Sequence, residues 1–437
     1  MPFRQSLETY FEFARLRTTW RTEVLAGFTT FITMAYIIFV NPGILAEAGM
    51  PFTGVLAATC LSAAVGSILM GAFARYPIAL APGMGLNAYF TFAVVKGMGV
   101  PWPVALGAVF LSGIAFFVLT AVGIRKMIVT AIPTELYAAV AAGIGLFIAL
   151  IGFRNSGIIA ASPVTTVTLG NLRSPTTLLA IFGLILTAAL LARGFKAAIL
   201  IGILATTALA ALTGLAAWKP LPVSFADLTA TMGKLDIMGA IHLGGLEIIF
   251  VFLFVDLFDN VGTLAGVGKK AGLFNEAHEI PRLNRILFCD ATATLTGSLA
   301  GTSTVVSYIE SAAGVVAGGR TGIPAIVTGI LFLLALFIAP LIGAIPAAAT
   351  APALILVGCM MMSHVAEIDW TDMTVAVPAF LTITTIPLSF SIANGLAFGF
   401  TAYTLLRVLR GEFSKLNWFM YILTALFLIR FWYLGAG

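Results

Sequence analysis

Long apolar runs recur along the chain, and each is about as long as a helix needs to be to cross a bilayer. A transmembrane helix requires about 20 mostly apolar residues, and we interpret fourteen segments as spans. A further apolar run, 418–434, carries Arg430 and either spans the membrane or lies along its surface. The pattern predicts an all-α, polytopic membrane protein. Its spans are residues 24–48, 54–74, 78–97, 102–122, 132–151, 175–192, 197–217, 241–267, 284–300, 302–317, 323–342, 345–362, 374–390 and 392–409.

The eighth span differs from the others because it contains three carboxylates, Glu247, Asp256 and Asp259. Each ionised carboxylate at the centre of a membrane costs about 2.5–3.5 kcal/mol on insertion scales. Asp256 and Asp259 are three residues apart, so on a helix they project from nearly the same face. We predict that this face borders a cavity used for binding or for proton transfer. The alternative is a polar pair that only holds helices together.

Composition supports a membrane protein and excludes several other classes. Of 437 residues, 60% are hydrophobic and only 9% are charged, whereas soluble domains contain about 25% charged residues. The net charge of +5 is spread over short loops, which does not favour nucleic-acid binding. The three cysteines lie in apolar segments, so no disulfide is expected. The polar, basic N-terminal segment lacks the apolar stretch of a cleavable signal peptide.

The distribution of basic residues predicts the orientation of the chain. If the N-terminus is cytoplasmic and every span crosses, seventeen lysines and arginines lie inside and five lie outside. Cytoplasmic loops carry an excess of Lys and Arg, so this asymmetry supports both the span count and the orientation. The five outside residues are Lys96, Arg154, Arg173, Lys219 and Lys234.

Short motifs recur in the two halves of the chain. Ala-Ile-Pro opens the fifth span at 131–133 and the twelfth at 344–346, and Phe195 and Phe390 precede the seventh and fourteenth spans. Seven is an odd number, so a repeated unit of seven spans must be inverted across the membrane. Inverted repeats are typical of secondary transporters, whose sites lie near the midplane.

The third span of each half is predicted to be broken. In span 3, Pro77, Pro82, Gly83 and Gly85 disfavour a continuous helix, so we expect extended backbone and then a half-helix beginning near Gly85. Span 10 begins with Thr and Val residues that favour a strand, and turns to Ala and Gly around Glu310. Broken helices expose backbone groups that only a cavity inside the protein tolerates. Ordinary helix kinks are the alternative.

Four stretches of the chain resemble one known family. They are TTFITMAYIIFVNP at 29–42, APGMGLNAYF at 81–90, FVDLFDNVGTLAGV at 254–267 and GTSTVVSYIESAAGVVAGGRTG at 301–322. They resemble the nucleobase–ascorbate transporters (NCS2), in the azaguanine-type branch of hypoxanthine, guanine and adenine permeases. The similarity runs nearly end to end. Asn260 departs from the Thr expected in this branch, and we expect this difference not to alter the chemistry.

The resemblance implies a core domain and a gate domain that move against each other during alternating access. The core would comprise residues 1–123 (spans 1–4) and 239–343 (spans 8–11). The gate would comprise 124–238 (spans 5–7) and 344–411 (spans 12–14), followed by a C-terminal apolar helix in 412–437. Substrate would lie between the short strands of spans 3 and 10, facing span 8.

The resemblance also implies which residues form the site. Asp259 matches the carboxylate that binds substrate in span 8, and Glu310 matches the acid of span 10. Asp290 matches a functional acid of the branch. We expect Asp256, one turn from Asp259, to support span 8 or relay a proton. The predicted substrate-binding residues are Asp259, Glu310, Asn87, Ala88 and Thr304, the last three through backbone groups, and the predicted supporting residues are Asp256 and Asp290.

This set of groups suits a purine nucleobase. A purine is flat, and carboxylates accept hydrogen bonds from its N–H groups while backbone amides donate to its carbonyl and ring-nitrogen acceptors. A carboxylate facing a buried cavity can also carry a driving proton. Four aromatic residues near the breaks either stack on the base or pack the core, namely Tyr36, Tyr89, Phe90 and Tyr308.

The sequence thus predicts a proton-coupled importer of purine nucleobases in a bacterial inner membrane, with homodimers formed through the gate domains. Both hypoxanthine/guanine and adenine stay open as substrates, and both protons and sodium stay open as the coupling ion. A uracil- or xanthine-type permease and an anion transporter of the same fold are the alternatives. An enzyme is disfavoured because no G-x-G-D or H-E-x-x-H motif occurs and the three histidines are scattered. We expect no metal, cofactor or nucleic acid as a partner.

Overall fold

The computed structural model describes residues 2–123, 131–216, 225–242, 245–271, 281–342 and 345–434. Lys219 and Ala344 lie outside these ranges, as do Arg125 and Lys126, two of the seventeen basic residues counted inside, and His278, one of the three histidines. Within them, seven helices are long and apolar enough to cross a membrane, and four more apolar helices are shorter. The protein is therefore a multi-pass membrane protein, and its predicted helical fold class is confirmed.

Helices form where the apolar runs are free of clustered proline and glycine, and their bounds follow the predicted spans closely. In the first half they are α1 Pro2–Tyr10, α2 Phe13–Leu16, α3 Trp20–Met34, α4 Ile37–Ala46, α5 Phe52–Leu69, α6 Met84–Ala88, α7 Trp102–Ala121, α8 Thr134–Asn155, α9 Pro175–Ala192 and α10 Ala198–Leu212. In the second half they are α11 Phe225–Leu228, α12 Ile237–His242, α13 Gly245–Ala271, α14 Leu283–Ala300, α15 Ser311–Val316, α16 Ile323–Ile342, α17 Ala347–Met361, α18 Met373–Leu388, α19 Ile392–Leu409 and α20 Trp418–Leu434.

The first span is two helices rather than one. Between α3 and α4 the backbone tightens, because Ile38 N bonds Ala35 O and Phe39 N bonds Tyr36 O, each three residues back. Pro42 lies inside α4 and has no N–H to donate to the preceding turn. The break places Tyr36 between the two helices, where its side chain is buried.

Both predicted breaks are confirmed, and they meet as an antiparallel strand pair. Strand β1, Leu80–Pro82, pairs with β4, Val305–Ser307, with Ala81 opposite Val306. Two further bonds extend the pair, from Gly83 N to Thr304 O at 3.0 Å and from Tyr308 N to Ala79 O at 2.9 Å. All six strand residues are buried. The half-helix after β1 begins at Met84 and continues as a π-helix over Tyr89–Gly97.

A second strand pair was not predicted. Strand β2, Ile159–Ser162, pairs with β3, Thr166–Leu169, in the loop after α8. Thr166 takes a positive φ of 67° near the turn. The strands are only four residues long and largely exposed, so no apolar run marks them in the sequence.

The chain divides into two compact units. The first comprises Met1–Val118 and Gly152–Ala353, and the second comprises Leu119–Ile151 and Leu354–Gly437. In the first unit, α5 packs against α14 and α16, and α16 packs against α3. The β1–β4 pair lies within this unit, and Leu80 and Val305 belong to one buried apolar cluster. The core and gate domain boundaries inferred from the resemblance stay a prediction.

In the second unit α18 packs against α19, and α20 packs against α19. Asp372 and Ser391 cap the N-termini of α18 and α19. Thr424 of α20 is hydrogen-bonded to Thr404 of α19 at 2.8 Å, and both side chains are buried. The apolar C-terminal run is therefore a helix that packs on the rest of this unit.

An ion-pair network links the N-terminus of α18 to the C-terminus of α19. Buried Arg407 pairs with Asp372 at 3.1 Å and with Glu412, and Arg410 pairs with Asp372 at 2.9 Å. A hydrogen bond from the Thr374 hydroxyl, assisted by Arg407 and Arg410, lowers the pKa of Asp372 below its ordinary value of 3.8. A hydrogen bond from Arg407 similarly lowers the pKa of Glu412 below 4.5. These groups stabilise the fold above their ordinary pKa values and cease to do so as the pH falls below them.

We therefore expect the Asp372→Asn, Glu412→Gln double variant to melt below the wild type at pH 7, and the difference to shrink below about pH 4. Melting temperature measured in detergent at several pH values tests this expectation. Glu367→Gln is the control, because its carboxylate is largely exposed and its partner is His364. A difference in melting temperature that grows as the pH falls would contradict the assigned role of the network.

Candidate functional site

Asp259 lies beside the end of the β1–β4 strand pair. It belongs to the 27-residue helix α13, which contacts β4, α6 and α15. A Cβ placed on Gly83, just after β1, would lie 3.4 Å from Asp259 Oδ2 and 2.9 Å from Val306 Cγ2. A side chain at position 83 would crowd Val306 and touch the carboxylate, so glycine keeps the space next to the carboxylate open. The Asp259 side chain is partly exposed, unlike its neighbours on α13.

Glu310 lies three residues after the end of β4. It is the N-cap residue of α15, and its side chain is partly exposed. Tyr36 Oη donates a hydrogen bond of 2.5 Å to Glu310 Oε1, which orients the carboxylate. Thr33 Oγ1 lies 3.5 Å from the Glu310 backbone oxygen. The break between α3 and α4 thus supplies the residue that positions the span 10 acid.

The two acids interact with each other. Asp259 is electrostatically coupled to both Glu310 and Asp290, and Tyr308 is coupled to Glu310 and Asp259. Like charges in a water-poor interior repel strongly unless a donor or a proton compensates them. A ligand that brings N–H groups would supply such donors.

Asn87 is held in a buried polar network and does not present its side chain as a free group. Its Nδ2 donates to Asn41 Oδ1 at 2.5 Å, and its Oδ1 accepts from the hydroxyl of Ser303. Asn41 donates in turn to Thr59 at 2.7 Å and to Thr302 at 2.9 Å. This network ties span 3 to span 10 next to the strand pair. Ala88 follows Asn87 at the end of α6 and is buried.

Thr304 precedes β4 and is fully buried. Its carbonyl oxygen accepts from Gly83 N, while its hydroxyl is buried without a hydrogen-bond partner among the described residues. The Ser307 hydroxyl is in the same condition. Buried hydroxyls are usually hydrogen-bonded, so both are candidates to bind a ligand or an ordered water.

Asp256 and Asp290 form a second cluster, joined by Asn260. The Asn260 Nδ2 lies 2.7 Å from Asp256 Oδ1 and 2.7 Å from Asp290 Oδ2. Its Oδ1 accepts a hydrogen bond of 3.1 Å from the backbone N–H of Ser307. All three side chains are 1% exposed. Asn260, which stands where the family resemblance leads us to expect Thr, is therefore the centre of this cluster.

The predicted site residues therefore fall into three groups. Asp259, Glu310 and Thr304 surround the ends of the strand pair, Asn87 and Ala88 lie in the adjoining half-helix, and Asp256 and Asp290 lie in the Asn260 cluster. Within the described residues no group of three or more His, Cys, Asp or Glu side chains could hold a metal ion.

The four candidate stacking residues are all buried. Tyr36 bonds Glu310, and Tyr308 Oη donates to the Pro82 carbonyl at 2.5 Å. Tyr89 packs edge-to-face on Phe252 with ring centroids 5.2 Å apart, and Phe90 lies 6.4 Å from the same ring. Their contacts indicate that they support the site. The hydrogen bonds of the Tyr36 and Tyr308 hydroxyls could not be predicted from the sequence, because only the fold brings these groups to Glu310 and β1.

The chain is similar to known proteins both in sequence and in structure. Residues 21–398 match the model of the Permease family (Xan_ur_permease). The adenine permease AdeP of Escherichia coli (strain K12) is 45% identical over 430 residues, which cover 98% of this chain and 97% of that protein. The guanine/hypoxanthine permease PbuG of Bacillus subtilis (strain 168) is 45% identical over 443 residues, covering 98% of this chain and 100% of that protein.

Among solved structures, the transmembrane domain of the cyanobacterium bicarbonate transporter BicA superimposes with a TM-score of 0.62. The match covers 84% of this chain and 95% of that domain at 17% sequence identity. At this identity the likeness concerns the fold alone. It confirms the predicted 7+7 inverted-repeat architecture, in which the third span of each half contributes a strand to the β1–β4 pair.

Proposed function

Because the chain belongs to the Permease family, we propose that it is a secondary active transporter that imports purine nucleobases. Relatives 45% identical over nearly their whole length are an adenine permease and a guanine/hypoxanthine permease. Transport proceeds by alternating access, with the core domain moving against the gate domain. The observation that carries the proposal is the pair of partly exposed carboxylates, Asp259 and Glu310, at the ends of the β1–β4 strands.

The chemistry of these groups supports a purine over an anion. Each carboxylate accepts hydrogen bonds from N–H groups at an edge of the base. Carboxylates would repel a bicarbonate-like anion. The similarity in fold to a bicarbonate transporter therefore does not extend to the substrate. Thr304 contributes its buried hydroxyl or its backbone to the same site.

Uptake of radiolabelled adenine, guanine and hypoxanthine into cells that lack their own purine carriers tests the proposal. We expect saturable, concentrative uptake of at least one purine, with the others as competitors. Uracil and xanthine serve as competitors that separate the purine proposal from a uracil- or xanthine-type permease. Absence of uptake of every purine in cells that contain the protein in the membrane would overturn the proposal.

Proton coupling is part of the same proposal. The site contains two partly exposed carboxylates, Asp259 and Glu310, and the buried carboxylates Asp256 and Asp290 lie nearby. A carboxylate can bind a proton on one side of the membrane and release it on the other. Collapse of uptake by an uncoupler, with no effect of replacing sodium, is the expected result.

We also propose that the N-terminus is cytoplasmic, that the protein resides in the bacterial inner membrane and that it forms homodimers through its gate domains. The orientation rests on the excess of basic residues in alternate loops. The dimer rests on the family resemblance. Mass measurement of the protein in native-like lipid particles would detect a dimer directly.

Cysteine labelling should reveal the orientation. In a background with exposed Cys359 replaced by Ser, since Cys60 and Cys289 are buried, we expect Thr165→Cys, in the β2–β3 loop, to react with an impermeant thiol reagent from outside. Asn284→Cys, two residues after Arg282, should react only after the membrane is permeabilised. Both positions are exposed in the structure. The reverse pattern would overturn the orientation.

A further inference from the structure

The amide of Asn260 connects three separate segments of the first unit. Its nitrogen donates to Asp256 one turn earlier on α13 and to Asp290 on α14. Its oxygen accepts from the backbone of Ser307 in β4. Because an amide nitrogen has two hydrogens, both carboxylates can be served at once.

The orientation of this amide is set by its partners. The Ser307 N–H can only donate, so it requires the amide oxygen. The two carboxylate oxygens need donors, so they require the amide nitrogen. Reversing the amide would place its oxygen against two carboxylates and leave the Ser307 N–H facing a donor. The amide is therefore held in one orientation, with its nitrogen toward the two carboxylates and its oxygen toward strand β4.

Strand β4 carries the groups proposed to bind substrate. Thr304 immediately precedes it, and Glu310 follows it by three residues. Val305 and Ser307 lie on one face of the strand by alternation, and Val305 faces α14, where it would meet a Cβ on Gly297. The unpartnered Ser307 hydroxyl thus lies on the face of β4 directed at α14, the helix that carries Asp290.

Other ionisable groups surround the cluster. Asp290 is electrostatically coupled to Asp259 on α13 and to Cys289 on its own helix. Asp259 is coupled in turn to Glu310 and Tyr308, which flank β4 and α15. A proton added to the Asp256–Asp290 pair therefore changes the hydrogen bonds of Asn260. It also changes the electrostatic field at Asp259 and Glu310, the carboxylates proposed to bind substrate.

We propose that Asn260 is a positioning residue that couples the protonation state of the Asp256–Asp290 pair to the position of strand β4. This inference rests on the proposed purine transport. When one carboxylate of the pair takes up a proton, it becomes a donor and competes for the amide oxygen that holds Ser307. Weakening of the Ser307 bond then moves the strand that bears Thr304 and Glu310.

Two variants separate this role from packing. Asn260→Asp keeps the shape but removes both amide hydrogens, and Asn260→Thr keeps a single donor. Each leaves the carboxylates with fewer donors, so they retain a proton to higher pH. We expect the pH at which purine uptake is half-maximal to rise by about one unit or more, with purine affinity at pH 5 within about tenfold of the wild type.

Asn41→Thr is the matched control. Asn41 is also a buried amide with three partners, but Thr59, Thr302 and Asn87 are all neutral. It should lower the melting temperature without moving the half-maximal pH of the remaining uptake. Uptake, equilibrium purine binding and melting temperature are measured for each protein in proteoliposomes or detergent between pH 5 and 8.

The outcomes are distinguishable. If the wild type takes up no purine, the proposed function fails. If the wild type transports and both Asn260 variants keep its pH profile, only the coupling role of Asn260 is overturned. If both variants fail to fold, amide hydrogen exchange of residues 303–308 in the wild type tests the coupling role instead. The exchange rates are first corrected for the intrinsic pH dependence of amide exchange. A change in protection between pH 5 and 8 supports the inference, and unchanged protection overturns it.

Discussion

We expect Asp259→Asn and Glu310→Gln each to abolish purine uptake while leaving the protein in the membrane at near-normal levels. An amide in place of either carboxylate replaces one of its two acceptor oxygens by an NH2 donor that opposes the substrate N–H groups. Each buried polar group left unpaired costs about 1–3 kcal/mol. Each substitution leaves two such groups, the new amide donor and the substrate N–H opposite it, and therefore reduces affinity by roughly 100-fold or more.

The two variants should fold, because both side chains are partly exposed and neither belongs to the Asn260 cluster. Asp369→Asn is the matched control, since this carboxylate lies in a loop of the second unit and accepts hydrogen bonds from the backbone and hydroxyl of its near neighbour Thr371. Uptake kinetics and membrane abundance are measured together. Normal transport kinetics in either site variant would remove that acid from the substrate site.

Asp256→Asn should separate binding from transport. Asp256 is 1% exposed and hydrogen-bonded to Asn260, whereas Asp259 is partly exposed beside Gly83. We expect the maximal rate of uptake to fall and its pH dependence to flatten, because the pair with Asp290 loses one of its two protonatable groups. Substrate affinity should change less than tenfold, about 1.4 kcal/mol.

Binding and transport measured separately between pH 5 and 8 test this division of roles. Asp290→Asn provides a comparison, because it removes the other member of the same pair and should produce the same signature. If Asp256→Asn destroyed binding while Asp259→Asn preserved it, the two aspartates would exchange roles. A uniform loss of folded protein in both Asp256→Asn and Asp290→Asn would instead assign the pair to structure.

The positions of the spans and of their breaks follow from local sequence. A run of about 20 apolar residues predicts a membrane helix wherever it occurs, and the predicted bounds 175–192, 323–342 and 392–409 coincide with α9, α16 and α19. The cluster of Pro77, Pro82, Gly83 and Gly85 disfavours a continuous helix, which is why the break at β1 could be predicted. The β2–β3 pair was missed because short exposed strands leave no apolar signal.

The candidate acids could also be selected from sequence, because a carboxylate inside an apolar span is costly enough to imply a role. Their partners could not. Tyr36 and Glu310 are 274 residues apart, and Asn260 and Asp290 are 30 apart. Nothing in the intervening sequence indicates that they meet. In a chain with 34 phenylalanines and nine tyrosines, no single aromatic residue stands out.

The sequence by itself determined that the chain crosses a membrane many times, that its third and tenth spans are broken, and which carboxylates are out of place in apolar helices. Each of these properties depends on the cost of placing a residue in lipid or in a helix, which local composition decides. Only the tertiary structure decided that β1 pairs with β4, that Tyr36 orients Glu310 and that Asn260 joins Asp256 to Asp290. Those contacts depend on how distant helices pack, because hydrogen bonds require donors and acceptors to come within about 3 Å.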